Sequence, residues 1–212
     1  MPLLLLVRHA VTPTTGTVLY GRADGVSLSE RGRSQAQEVA ERLAALPIAA
    51  VYSSPLERCR ETARPIAARA GLRVRTAPGL VEGDAGSWTG RRLSGLRRTR
   101  AWRTVVGRPA EFRFPDGESF VEMQRRTVAA LERIAQAHPD GIAVAVSHGD
   151  NIRLAMSWFA GAPLDRFQRI VVSPASVSAV WLPPGSDGQP AVVLVNDTGS
   201  VAHLAPRRNL GR

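Results

Sequence analysis

Lysine is missing from this 212-residue chain: all 28 basic residues are arginine. That excludes a Schiff-base lysine and a Walker-type phosphate lysine. Cysteine is nearly missing as well, and Cys59, standing alone, cannot form a disulfide within the chain. Aromatic residues amount to 5%, few for the stacking platforms of a nucleic-acid binder, and no known nucleic-acid motif accompanies them. Long hydrophobic runs are lacking too. The longest aliphatic stretches, Leu3 to Val7, Ile142 to Val146 and Ala191 to Val195, have five residues each. A membrane span needs about 20, and a signal-peptide core about 7–15. With no basic leader at the N-terminus, a cytoplasmic protein without a membrane partner is expected.

What is present suits a folded protein. The composition is 44% hydrophobic and 22% charged, and the length fits one domain that buries roughly 70% of its unfolded surface. The net charge of +10 favours anionic partners, with phosphates, nucleic acid and acidic membranes as the classes. A GC-rich coding sequence accounts for the arginine bias equally well.

Short aliphatic runs alternate with amphipathic stretches, the pattern of an α/β fold. Strands are expected at 3–7, 48–52, 72–76, 142–146, 176–182 and 191–195. Helices are expected from Ser29 to about Leu46, from Ser53-Ser54-Pro55 to Ala70 with Pro55 in the first turn, from Ser119 to His138, and from Gly149 to about Phe159. Residues 77–118 break the rhythm with glycines, prolines and a weak helix. The run Pro-Pro-Gly-Ser-Asp-Gly at 183–188 reads as a turn. The tail from Ala205 to Arg212 reads as mobile and basic.

Ligands of open α/β sheets gather beyond the carboxyl ends of the strands. The first strand ends at Arg8-His9, the second leads to Arg58, and the fourth ends at Ser147-His148-Gly149. The segment after the third supplies Glu82. Two histidines, two arginines and a carboxylate are thus expected on one rim.

The blocks that carry these residues resemble one family. Arg8-His9-Ala10-Val11-Thr12 is similar to the Arg-His-Gly-x-Thr signature of the histidine phosphatase superfamily, in its phosphoglycerate mutase-like branch. The likeness continues in order through Gly21-Arg22, Leu28 to Gly32, Ser53 to Ala63, Glu82 with Gly86 to Gly90, Gly117-Glu118-Ser119 and Val146 to Gly149. It covers about residues 3 to 160, and this many ordered blocks are far more specific than an Arg-His pair.

The resemblance implies a single-domain, three-layer α/β sandwich over residues 1–204. Its central sheet would be mostly parallel, with helices on both faces and a short insert at about 83–118. It implies a catalytic set of His9, Glu82, Arg8, Arg58 and His148. His9 would be the nucleophile, Arg8 and Arg58 the phosphate clamp, His148 an imidazolium donor and Glu82 the proton donor to the leaving group. Thr15, Tyr20, Gly21, Arg22 and Gly149 would bind substrate, Arg22 reaching an additional anionic group. The chain departs from the family pattern at Ala10, where glycine is usual, and at Thr15, where asparagine is frequent.

The arginine-rich rim is expected to push the pKa of Glu82 down, and the sequence leaves open whether burial offsets this. A metal site from His9, His148 and Glu82 is disfavoured because the flanking arginines repel cations and no ligand spacing supports it. No cofactor is implied. His138 is read as a cap or solvated residue, His203 as structural, Cys59 and Trp88 as packed. The stretch Arg91 to Arg103 holds six arginines and no acid. It reads either as a solvated surface or as an overhang that recruits a second anionic group. The expected function is hydrolysis of a small phosphomonoester metabolite, favoured over a phosphomutase because the insert is short. A non-catalytic anion or nucleic-acid binder is the remote alternative. A homodimer is left open.

Overall fold

The structure is a computed structural model that describes residues 2–183 and 188–199. The elements are β1 (Leu3–Arg8), β2 (Val18–Leu19), α1 (Glu30–Leu43), β3 (Ile48–Ser53), α2 (Glu57–Arg69), β4 (Val74–Thr76), β5 (Arg91–Arg92), α3 (Leu93–Leu96), α4 (Arg100–Gly107), α5 (Phe120–Gln136), β6 (Ile142–Ser147), α6 (Gly149–Phe159), β7 (Val177–Trp181) and β8 (Ala191–Asp197). Six strands form one sheet in the order β4-β3-β6-β1-β7-β8. The four strands from β4 to β1 run parallel, and β7 and β8 pair antiparallel at the other edge.

Alternation along the strands explains the three layers. Leu5 and Val7 of β1 and Val144 and Val146 of β6 pack on Val39, Leu43, Ala63 and Ile66 of α1 and α2. Their neighbours Leu4, Leu6, Ala143 and Ala145 point the other way, onto Leu131, Ile134, Ile152 and Met156 of α5 and α6. A side-chain period of two thus places one helical pair on each face. A separate apolar cluster, with Trp88, Phe112, Phe114, Phe120 and Phe167, lies beneath the segment that follows Glu82.

Helix starts follow the capping chemistry. Ser29 caps α1 by accepting from the Gly32 amide, and Ser119 with Glu122 forms a reciprocal capping box at α5. The expected start of α2 is corrected: Leu56 is the N-cap, and Pro55 precedes it rather than lying in the first turn. There Pro55 places a residue without an amide proton just before the helix. His138 neither caps α5 nor stands free in solvent. Its Nε2 lies 3.1 Å from the Tyr52 hydroxyl. His203, most of the expected 183–188 turn and the 205–212 tail lie outside the described residues. Among the described residues no helix is long and apolar enough to cross a membrane.

Candidate active site

β1, β3 and β6 stop at the same edge of the sheet, and their backbones hold the following loops together. The His9 amide donates to the Ser147 carbonyl at 2.9 Å, and the Ser54 amide to the Val146 carbonyl at 2.9 Å. Three strand ends therefore deliver His9, Ser54 and His148 as one rigid group. Above them opens a cleft of about 400 Å³, lined among others by Arg8, His9, Thr15, Arg58, Glu82 and Gly149.

His9 has one defined tautomer. Its Nδ1 lies 2.8 Å from the carbonyl oxygen of Ala10, which can only accept, so Nδ1 carries the proton and Nε2 the lone pair. The ring is only 7% exposed. Burial, then the charges of Arg8 and Arg58, push its pKa down to about 3, so it is neutral at physiological pH.

The guanidinium groups around it are held at one end and open at the other. Arg8 Nη1 donates to the Val172 carbonyl at 2.7 Å, and Arg58, 2% exposed, donates from Nη2 to the Gly21 carbonyl at 2.9 Å. Gly21 has φ +52°, which favours glycine, and a Cβ there would come within 2.9 Å of the Ala85 Cβ. Among the described residues, the buried Arg8 Nε, Arg58 Nη1 and Arg153 Nε have no hydrogen-bond partner. All three side chains line the same cleft. Unpartnered buried donors are costly, and three cationic side chains lining one cleft suit an anion.

Glu82 and His148 face each other, with Nδ1 3.5 Å from Glu82 Oε2. His148 is fully buried, its Nε2 is 2.8 Å from Ser54 Oγ, and its ring centroid is 5.3 Å from that of His9. The expected imidazolium is opposed by the surroundings of the ring. Burial and then Arg58 hold the His148 pKa well below the ordinary imidazole value. The balance left open for Glu82 falls to burial, although the arginines pull the way expected. Burial, reinforced by the Asp150 carboxylate, raises its pKa to about 7, outweighing Arg58 and Arg126. Cys59 is packed against His148, with burial raising its thiol to about 12.

Glu82 is positioned by Arg126 and Asn151, which carried no signal in the sequence, together with Glu118 and Ser147 of the family-like blocks. Arg126 donates to the carbonyls of Gly79 at 2.9 Å, Val81 at 2.6 Å and Glu82 at 3.1 Å. Its fork also grips the Glu118 carboxylate at 2.6 and 2.8 Å. Asn151 donates to Val81 and Ser147 to Leu80, both by carbonyl contacts below 3 Å. The segment that carries the carboxyl group is thereby fastened to α5 and α6.

Thr15, Tyr20 and Gly21 line the cleft with Gly149. Thr15 Oγ1 accepts from the Thr12 amide at 2.8 Å, and the Tyr20 hydroxyl bonds to Thr14 Oγ1. A Cβ on Gly149 would lie 3.2 Å from the Arg8 guanidinium, so the smallest residue lets that group approach α6. Arg22 is placed elsewhere. It pairs with Glu118 at 3.1 Å and donates to the Glu82 carbonyl at 3.0 Å, and it is absent from the cleft lining. Two neighbouring acids attract it into the support of Glu82. Of the arginine-rich stretch, Arg97 and Trp102 reach the cleft, whereas Arg91, Arg92, Arg98, Arg100 and Arg103 are exposed. Asp150 and Arg153, paired at 3.0 Å, are cleft residues that the sequence reading missed. Their spacing of three along a helix that starts at Gly149 was the available signal.

The chain as a whole matches known proteins. The profile of the histidine phosphatase superfamily (branch 1) matches residues 4–198. Phosphoserine phosphatase 1 of Hydrogenobacter thermophilus is 31% identical over 84% of this chain and 86% of its own. A probable phosphoglycerate mutase, GpmB, of Enterobacter sp. (strain 638) is 31% identical over 94% and 93%. The native structure of a mycobacterial glucosyl-3-phosphoglycerate phosphatase superposes with TM-score 0.81 at 26% identity, covering 92% of this chain and 98% of that one. The chain belongs to the histidine phosphatase superfamily, and it is an enzyme with that superfamily's mostly parallel α/β fold.

Proposed function

We propose that the protein hydrolyses a small phosphomonoester through a phosphohistidine on His9. The observation that carries this reading is the unprotonated Nε2 of a neutral His9 in a cleft also lined by Arg8, Arg58 and Arg153, each with a buried N–H that is unpartnered among the described residues. The Nε2 lone pair attacks phosphorus in line, the phosphorus–oxygen bond to the leaving alcohol breaks, and the leaving oxygen takes the proton of Glu82. Glu82, now a carboxylate, takes a proton from the attacking water in the second step, the phosphorus–nitrogen bond breaks, and inorganic phosphate leaves. Arg8 and Arg58 bind the equatorial oxygens, where the charge of the transition state is spread. A pKa of about 7 suits Glu82 to both roles, since it is acid and base in successive half-reactions. A phosphoryl dianion in the cleft offsets the cationic field on His148 and favours its protonation as a further donor.

The test is phosphate release over a panel of phosphomonoesters with His9→Ala as the blank, together with acid quench of the enzyme on a labelled donor. Acid-labile label on the wild-type chain and none on His9→Ala is the expected result. Equal release by the two proteins overturns the proposal.

The relative named as a probable phosphoglycerate mutase supports a second reading, return of the phosphoryl group to another hydroxyl of the substrate. The short segment between Glu82 and Ser119, with only α3 and α4 as helices, favours water as the acceptor, because a mutase must enclose its intermediate. Incubation with 3-phosphoglycerate and 2,3-bisphosphoglycerate separates the two. Free phosphate is expected; interconversion to 2-phosphoglycerate with little free phosphate reverses the ranking.

A further inference from the structure

The cleft has two unlike walls. One is the cationic floor around His9. The other is built by the β2–β5 ribbon with α3 and α4, which present Val18, Leu19, Leu93, Trp102 and Val105, and by Phe114 of the loop before α5. Leu19, Leu93 and Trp102 pack on the apolar cluster beneath but are only partly buried, and all three face the cleft. This wall is framed rather than loose. The Leu93 amide donates to Thr17 at 2.9 Å, the Gly90 amide to Leu19 at 2.8 Å, and Trp102 stacks on Trp88 at 6.2 Å between ring centroids. Polar groups on it are few. Arg97, between α3 and α4, is the one charged residue that residues 91–107 contribute to the lining, and the side-chain amide of Gln168 is engaged with the Val105 carbonyl at 2.7 Å.

A cleft of about 400 Å³ holds far more than one phosphoryl group and falls in the range of small-ligand pockets. Glu82 must reach the leaving oxygen, so the alcohol portion of the substrate extends from the floor toward the second wall. A polyhydroxylated sugar would bury hydroxyls there against carbon, without partners. An apolar or aromatic body would instead cover the exposed parts of Leu19, Leu93 and Trp102.

We infer that this enzyme selects phosphomonoesters whose leaving alcohol carries an apolar or aromatic body, with Trp102 and Leu93 as specificity-determining residues. The inference rests on the phosphatase reading above. The experiment compares kcat/KM for 2-phenylethyl phosphate, ethyl phosphate and glucose 6-phosphate, all phosphates of primary alcohols, so that leaving-group basicity differs little. The expected order places 2-phenylethyl phosphate at least about tenfold above both others, the range that apolar pocket contacts confer. Trp102→Ala is expected to lower kcat/KM for 2-phenylethyl phosphate about tenfold more than for ethyl phosphate, removing most of that advantage. Leu93→Gln is the second variant, since it leaves the Trp102–Trp88 stack in place, and it too lowers the preference. Equal or better turnover of glucose 6-phosphate by the wild type overturns the inference. So does a uniform loss on all three substrates in both variants. If no substrate releases phosphate in a His9-dependent manner, the phosphatase reading itself fails, which is a different outcome from a wrong preference.

Discussion

Glu82 is the group whose protonation can be followed most directly. An ordinary glutamate at pH 7 is protonated in about one molecule in three hundred, whereas a pKa of about 7 leaves about half protonated. Burial is the larger cause and Asp150 the second, so removal of the Asp150 charge lowers the pKa. The first half-reaction needs the protonated form. The kcat/KM of an alkyl phosphate is therefore expected to fall above pH 7, approaching about tenfold per pH unit. Ionisation of the substrate contributes a limb of its own, but that limb is the same for every variant. In Asp150→Asn the descending limb is expected to move to lower pH, and in Glu82→Gln the limb due to this group disappears from a much lower rate. Stability carries the same sign. A carboxyl group whose folded pKa exceeds its unfolded value of 4.5 costs nothing well below that pH, and its full cost is present above pH 7. Glu82→Gln is thus expected to raise Tm relative to wild type at pH 8 and to lose that advantage at pH 4. Identical pH profiles for wild type and Asp150→Asn, or a Tm difference that does not depend on pH, would refute the assignment of the shift.

Three further outcomes are expected. Glu118→Gln or Arg126→Lys breaks a fork that holds three carbonyls at the Glu82 segment. Each is expected to lower kcat more than KM changes, with a stability loss on the order of 2–3 kcal/mol by urea denaturation. Phe120→Ala removes the ring that touches Phe112, Phe114 and Phe167, and about 3–5 kcal/mol is expected to go with it. Gly149→Ala crowds the Arg8 guanidinium, so weaker inhibition by inorganic phosphate is expected, measured by titration, with Tm little changed.

The strands of the main sheet were legible because each is a short aliphatic run between turn residues, and its two-residue alternation placed helices on both faces. The strand ends then named His9, Arg58, Glu82 and His148 in advance, since ligands collect beyond such ends. β2 and β5 were not legible, because two residues have no period. Pro55 suited either the first turn of α2 or the position before its cap, and local sequence does not separate them. The pairing of Arg22 with Glu118 was not foreseen because the two are 96 positions apart, a distance that motif reading cannot span. The net direction of the Glu82 shift stayed open for a similar reason. The sequence counts the arginines nearby, whereas the depth at which the carboxyl group sits is a property of the fold. Arg126 and Asn151 lay inside amphipathic helices and looked like any other polar helix residue.

The lock on His9 has a consequence for its modified form. Because the adjacent main-chain carbonyl of Ala10 occupies Nδ1, no side chain elsewhere has to keep the ring in place, and mutation at distant positions cannot readily hand the reactive lone pair to the other nitrogen. Any covalent phosphate is therefore borne on Nε2. An antibody specific for that isomer should stain the quenched enzyme, and one raised against the other isomer should not.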